Sequence, residues 1–247
     1  MNEVFSIIMP AFNAEKTISK SIESVLNQTY RDFKLYIIDD NSTDQTQSII
    51  QDFLEKDDRI VYVKKDINSG VADTRNVGIE RCAGIYISFL DADDLWREDK
   101  LTKQLKILSE GWDVVCSNYI AFRSDDFSIF TARKSPQVIT YERLLQSNFI
   151  GNLTGVYNAV KLGKIFQKKV GHEDYIMWLD ILRKSKSAFC VQENLASYRL
   201  SNGSLSSNKL KAIRWQWNIY RDILGFSVIK AMYYFSCYIA YAFIKRH

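Results

Sequence analysis

The sequence is poor in histidine. Only His172 and the terminal His247 occur among 247 residues, so an imidazole cluster with metal-ligand spacing is excluded. The four cysteines, Cys82, Cys116, Cys190 and Cys237, form no C-x-x-C pair, and three lie in apolar segments. That pattern predicts buried free thiols and a reducing compartment. No Lys/Arg run is long enough to make a nucleic-acid face, and the net charge of +4 is mild. Neither G-x-G-x-x-G nor G-x-x-x-x-G-K-[ST] is present, so dinucleotide binding and P-loop phosphoryl transfer lack their cradles. No G-x-S-x-G elbow supports a hydrolase. The N-terminal "MNEVFSIIMPAFNAE" has a short apolar run, no basic n-region and an interruption at Pro10. It does not read as a signal peptide, and the body of the protein is expected in the cytoplasm.

What is present reads as a globular chain. Hydrophobic residues make up 47% and charged residues 25%, enough for a large core in one domain with a small appendage. "VFSIIMP" predicts a buried strand, followed by Ile18, Ile22, Val25 and Leu26 at helical spacing with Asn13 as the available cap. "FKLYIIDD" predicts a second strand. Ser42 and Gln45 then have capping-box spacing ahead of a helix with Ile49, Ile50, Phe53 and Leu54 on its core face. "RIVYV", "IYISFLD" and "WDVVCSNYI" read as further strands, and "NSGVADTRNVGIERCAG" as a loop and helix in which Gly78 and Gly84 serve close packing or a turn. The alternation predicts an α/β fold, a mostly parallel central sheet flanked by helices. Ligands bind such sheets beyond the carboxyl ends of the strands. Pro10 to Asn13, Asp39 to Ser42 and Asp91 to Asp94 should therefore share one rim. After about residue 120 the alternation weakens into an irregular excursion with a short helix.

"SFLDADDLW", residues 88 to 96, drives a hydrophobic run into three carboxylates. Asp91, Asp93 and Asp94 would raise one another's pKa if nothing positive stood beside them. A solvated acidic turn is the plain reading; a cation-binding strand tip is the functional one.

Four ordered blocks favour the second. "FSIIMPAFNAEKTISKSIESVLNQTYRDFKLYIIDDNSTDQT", "NSGVADTRNVGIERCAGIYISFLDADDLW", "HEDYIMWLDIL" and "YRLSNGSLSS" resemble the successive signatures of glycosyltransferase family 2, from residue 5 to about 207. The resemblance implies the GT-A fold, with a nucleotide-binding half over 1–120, an acceptor half over 121–207 and a helical extension over 208–247. It also implies an inverting, metal-dependent transfer of one sugar from a UDP-sugar to a glycan acceptor. Displacing a diphosphate builds charge on the leaving oxygen, which Mn2+ or Mg2+ held by hard oxygen ligands neutralises. On this resemblance Asp93 ligates the metal, Asp91 faces the ribose or metal and Asp94 supports them. Asp40 accepts from the uracil imide N–H, and Asp39 is structural or ribose-facing. Pro10, Ala11 and Phe12 line the base pocket, and Arg75 lies near base and phosphates. Arg199 and Ser204 contact the diphosphate on a loop closing over the donor, where many relatives have histidine at the position of Ser201. Asp174 is the general base, ionised at neutral pH, and Glu173 orients it or binds acceptor hydroxyls. Trp178 either stacks on a sugar or packs in the core. His172 either supports the neighbouring acids or is a plain surface residue.

The stretch from Ile223 to Ile244 is apolar and aromatic, with Lys230 its one charge. An amphipathic helix in a membrane interface fits it better than a span, with a helix packed on protein as the alternative. Such a tail implies a lipid-linked acceptor and an enzyme peripherally attached to the inner face of the cell membrane. Compact relatives of this kind build bacterial surface polysaccharides such as O antigen or capsule. The competing reading is a non-catalytic nucleotide-binding subunit of a membrane-associated glycan-assembly complex.

Overall fold

The computed structural model describes residues 3–123, 129–200 and 209–244. β1 (Phe5–Ala11) leads to α1 (Ile18–Leu26), β2 (Phe33–Asp39) to α2 (Thr46–Leu54), and β3 (Ile60–Lys64) to α3 (Val71–Arg81). β4 (Tyr86–Phe89), the short β5 (Leu95–Trp96), α4 (Lys100–Ser109) and the long β6 (Val114–Arg123) follow. The second half holds β7 (Ile129–Arg133), β8 (Val138–Thr140), α5 (Tyr141–Gln146), β9 (Val156–Asn158), α6 (Ala159–Leu162), α7 (Glu173–Ser185) and β10 (Ser187–Leu200). α8 (Lys209–Asn218), a π-helical turn over Ile219–Ile223 and α9 (Val228–Ile244) complete the described chain.

One sheet runs through the molecule in the order β3-β2-β1-β4-β9-β6-β10-β5, with β7 beside β6 and β8 beside β10. The first four strands are parallel, as their helical crossovers require. β9 then runs antiparallel between β4 and β6, and β6 pairs in parallel with β10. Neighbouring residues of β1 feed opposite cores. Ile7 and Met9 join α1 on one face, while Ile8 joins α3 and α7 on the other. Gly78 and Gly84 serve close packing: a Cβ would lie 2.6 Å from an Ile8 methyl at the first and 2.6 Å from Ser6 Oγ at the second.

Two capping expectations fail. The helix expected after Asn13 begins only at Ile18, behind Thr17, and α2 begins at Thr46 behind Gln45, neither with a side-chain cap. Asn13 and Ser42 are instead occupied with each other's loops, because loop-to-loop bonding competes for the same short polar side chains.

The C-terminal helices pack on the second half. Ala231 and Tyr220 are buried, the Tyr220 hydroxyl donates to the Leu145 carbonyl at 2.6 Å, and the Tyr241 ring meets Phe149 edge-on at 5.3 Å. The opposite face of α9 is apolar and exposed, Ile229 at 79%, Tyr233 at 58% and Met232 at 48%. Among the described residues no helix is long and apolar enough to cross a membrane.

Candidate active site

Three strand ends meet at one rim, and bonds between their loops fix its shape. Asn13 turns the chain with a left-handed φ of 47°, which asparagine tolerates. Its Oδ1 accepts the Thr43 N–H at 2.9 Å while its own N–H donates to Ser42 Oγ at 3.0 Å. The Ala14 N–H donates to Thr46 Oγ1, the Glu15 N–H to Asp44 Oδ2, and the Gln45 N–H to Glu15 Oε2. The β1–α1 loop is thereby clamped onto the β2–α2 loop. Pro10, Ala11 and Phe12 face a cleft of about 1190 Å3, and the Phe12 ring stands half exposed beside it.

The two carboxylates ending "YIIDD" have different surroundings. Asp39 is buried and accepts the Ser42 N–H at 2.8 Å and the Tyr62 hydroxyl at 2.9 Å, which makes it framework. Asp40 lines the cleft and accepts from Lys65 Nζ, the Ser69 N–H and the Gly70 N–H at 2.5, 3.0 and 2.8 Å. Burial pushes its pKa up, but those donors outweigh burial and hold it below the ordinary value. A fourth donor, the Thr74 side chain, acts in the same direction.

Beyond β4 the acid tip is held from two sides. Asp94 is buried and accepts the Arg199 backbone N–H at 2.8 Å, while Arg199 Nε donates to the Asp93 carbonyl at 2.8 Å and its guanidinium lies over Phe122. Asp91 is ion-paired with Arg75 at 2.5 Å. Burial first, then Asp91, pushes the Asp93 carboxyl up to about 6, against the pull of Arg199 and Arg75. Burial and both neighbouring aspartates push Asp94 well up. The tip is therefore short of positive charge even with Arg75 beside it. Among the described residues no group of three or more His, Cys, Asp or Glu side chains is arranged to hold a metal ion. Asp91 and Asp93 nevertheless both line the cleft. Magnesium-type ions commonly take one or two carboxylates from a protein and their remaining ligands from water and substrate phosphates. The donor set fits that use.

A second arm reaches the same acids. The segment before α7 is bracketed to α3: the Gln167 N–H donates to Asn76 Oδ1 at 2.7 Å and Asn76 Nδ2 donates to the Gln167 carbonyl at 2.9 Å. Lys169 Nζ adds a bond to the Ser69 carbonyl at 2.6 Å. The bracket brings Glu173 and Asp174, the first two residues of α7, within the electrostatic reach of Arg75. Burial pushes the Asp174 carboxyl up, and Arg75 and His172 pull it down. Glu173 Oε1 accepts the Gly171 N–H at 3.3 Å. His172 caps α7 in a left-handed conformation with its ring against Trp215. Trp178 belongs to the core, wholly buried and edge-on to Phe89 and Tyr157.

Of the expected site residues, Pro10, Ala11, Phe12, Asp40, Asp91, Asp93 and Arg199 line one cleft. Arg75 does not line it. It is 6% exposed and ion-paired to Asp91, so its expected place beside base and phosphates is taken by a place behind the acid tip. Glu173 and Asp174 do not line the cleft and lie within the electrostatic reach of Arg75. Ser204, with Ser201 and His247, lies outside the described residues. Sequence reasoning missed Lys16, ahead of α1, and Lys20, within it, which both line the cleft, and Lys65, which follows β3 and braces Asp40. The strand-end rule applied to "YVKKD" would have found Lys65. The Asn76–Gln167 bracket spans 91 residues and leaves no local signal.

Comparison with known proteins gives the family and the fold. The model of the family described as "Glycosyl transferase family 2" matches residues 6–164, ending ten residues before Asp174. TuaG of Bacillus subtilis (strain 168), whose name assigns it to teichuronic acid biosynthesis, is 37% identical, the match covering 98% of this chain and 96% of that one. WfgD of Escherichia coli, a UDP-Glc:α-D-GlcNAc-diphosphoundecaprenol β-1,3-glucosyltransferase, is 38% identical over 98% of this chain and 94% of its own. The crystal structure of S. aureus TarS 1-349 in complex with UDP-GlcNAc has the same fold, with a TM-score of 0.73 and 20% identity over 89% of this chain and 67% of that one.

Proposed function

The chain belongs to glycosyl transferase family 2 and is a glycosyltransferase of GT-A fold; from that premise we propose that it transfers a single sugar from a UDP-sugar to a lipid-linked glycan acceptor, with inversion, in bacterial surface-polysaccharide synthesis such as O antigen or capsule. One observation carries the reading. A single buried guanidinium, Arg75, is ion-paired to Asp91 of the acid tip and lies within electrostatic reach of Glu173 and Asp174 at the start of α7.

Each residue then has a task. Pro10, Ala11 and Phe12 bind the base, and Asp40 on the cleft wall accepts from an imide N–H, which uracil offers. Asp93, with Asp91, would hold Mn2+ or Mg2+, which would supply positive charge to a departing diphosphate. Arg199 meets the same diphosphate, as Ser204 does in this reading. Asp174 takes the proton of the acceptor hydroxyl. Burial that raises its pKa makes its carboxylate a stronger proton acceptor, and Arg75 opposes that rise. Glu173 binds or orients beside it. WfgD acts by name on a diphosphoundecaprenol-linked sugar, and α9 carries an exposed apolar face on this chain, so a carrier-lipid acceptor at the membrane surface fits both. The enzyme would then work peripherally on the cytoplasmic face of the cell membrane.

The test is UDP release from a panel of UDP-sugars with Mn2+, for the wild type and for Asp174→Asn. The wild type is expected to turn over one donor. The variant should bind UDP with unchanged affinity and lose at least a hundredfold in kcat, the scale of general-base catalysis. Wild-type turnover in the variant would remove Asp174 as the base, and UDP binding without turnover of any donor would refute this donor class.

A further inference from the structure

The helix that delivers Glu173 and Asp174 starts from an uncommon turn. Gly171 and His172 are both left-handed, with φ of 84° and 52°, and the two acids follow at once as the first residues of α7. Glycine adopts that conformation without steric cost, whereas in histidine the β-carbon crowds the next carbonyl. The His172 carbonyl nevertheless accepts the Ile176 N–H at 3.1 Å and so closes the first turn of the helix. Whatever holds this turn also fixes where Asp174 stands.

The support comes from the C-terminal extension. The Trp215 indole, on α8, lies against Gly171 so closely that a Cβ there would approach its Cδ2 and Cε2 to 2.5 Å. The ring occupies the space a side chain would fill. It meets the His172 ring edge-on, with centroids 5.4 Å apart and planes at 80°. His172 Nε2 is buried and has no hydrogen-bond partner among the described residues, so packing on the indole, and not a bond at that atom, orients the imidazole. His172 in turn pulls the Asp174 carboxyl down, which puts the imidazole within electrostatic reach of it. Trp215 stands beyond the residues 6–164 that the family model matches. Its neighbour Trp217 points elsewhere, edge-on to Phe235 of α9 at 5.4 Å, as residues two apart on a helix do.

We infer that Trp215 is a positioning residue for the general base: its indole holds the Gly171–His172 turn left-handed and thereby sets where α7 presents Asp174. The inference rests on the reading of Asp174 as that base, and it adds that the C-terminal extension belongs to the catalytic arm. A flat, rigid ring suits the task, because it can lie on a glycine backbone and still meet a second ring edge-on. The donor cleft is held by other contacts: the bonds between the loops after β1 and β2, the donors around Asp40, and Arg199 and Arg75 at the acid tip. Loss of the indole should therefore appear in the chemical step and not in donor binding. A misplacement on the order of 1 Å is enough to cost about a hundredfold in rate.

The experiment measures kcat and KM for the UDP-sugar that the wild type turns over, UDP affinity by calorimetry and the thermal midpoint, all on the full chain. Trp215→Ala should lower kcat at least tenfold and leave donor KM and UDP affinity within about twofold of wild type. Trp215→Phe, which keeps a ring on Gly171, should recover kcat to within about threefold. Trp217→Leu removes an indole from the same helix, away from the turn, and should lower the midpoint while keeping kcat. Should Trp215→Ala fold poorly, Gly171→Ala reads the same contact from the other side by driving a methyl into the indole, with the same loss of kcat expected. Wild-type kcat in Trp215→Ala or Gly171→Ala, or an equal loss in Trp217→Leu, would overturn the proposal. Combining Trp215→Ala with Asp174→Asn separates this inference from the reading beneath it. The double variant should be no slower than Asp174→Asn alone, because the indole acts through that carboxylate. A further tenfold loss would overturn the positioning role and leave the base standing, whereas wild-type turnover in Asp174→Asn alone would refute the base itself and the task given to Trp215 with it.

Discussion

Asp93 is the residue on which burial and charge act most visibly together. Its carboxyl, pushed up to about 6 by burial and Asp91, binds a proton in the folded protein at pH values where the unfolded chain, with the ordinary 3.8, does not. The folded state therefore holds more protons between those two values, and stability falls as pH rises through that window. Asp40, Asp57 and Asp99, held below 3.8, act in the opposite sense but only at lower pH. The thermal midpoint of the metal-free protein is expected to drop as pH is raised toward and through about 6. Asp93→Asn should flatten that drop and raise the midpoint at neutral pH by about 2–4 °C per kcal/mol of repulsion relieved, while removing Mn2+-dependent UDP binding. A scan of midpoint against pH for both proteins decides it, and equal slopes would show that Asp93 is not the titrating group. Arg75→Met is expected to act in the reverse direction, leaving Asp91 and Asp174 without their cation and lowering the neutral-pH midpoint, as loss of one partner of a buried pair does. The identity of the acids was legible in "LDADDLW". Their pKa values were not, because those depend on Arg75 and on burial supplied by segments far away in the chain.

At the scale of elements, the helix α7 contributes its N-terminal acids only because the segment before it is bracketed to α3. Asn76 satisfies both the N–H and the carbonyl of Gln167. Removing its side chain strands two backbone groups, at about 1–3 kcal/mol for a buried group left unsatisfied. Asn76→Ala should lower the thermal midpoint and kcat together and leave UDP affinity unchanged, because the bracket supports the Asp174 arm and not the β1 and β2 loops. A loss of UDP affinity in parallel with kcat would mean that the variant disturbs α3 as a whole. The other side of α7 is filled by Trp178, against which Gly155 is packed so tightly that a Cβ would approach Cζ2 to 2.2 Å. Gly155→Ala is therefore an overpacking change, expected to cost about 1–3 kcal/mol in chemical denaturation. Strand and helix order in the first half was readable from periodicity. The start positions of α1 and α2 were not, since Asn13, Ser42 and Asp44 bond across two loops instead of capping locally.

Across the whole molecule, the C-terminal segment has a packed face and an open face. Truncation at Ile223 would uncover Phe149 and Tyr220 and is a poor probe of membrane contact. Ile229→Lys with Met232→Lys is a better one, because both positions are exposed. Surface changes of this kind normally shift stability by within about ±0.5 kcal/mol. The pair should reduce sedimentation with anionic-lipid vesicles at least tenfold while leaving the midpoint unchanged, and undiminished sedimentation would exclude α9 as the contact. The sequence by itself determined the alternation of strands and helices, the polar ends of β1, β2 and β4, and hence one rim carrying Pro10 to Phe12, Asp40 and the acid tip. It could do so because parallel strands in register must end at the same edge, whatever else surrounds them. Only the tertiary structure decided that Arg75 would stand behind that tip and that α7 would bring Asp174 within its electrostatic reach. Those outcomes depend on the angles and distances at which separate segments pack, and no local run of residues encodes them.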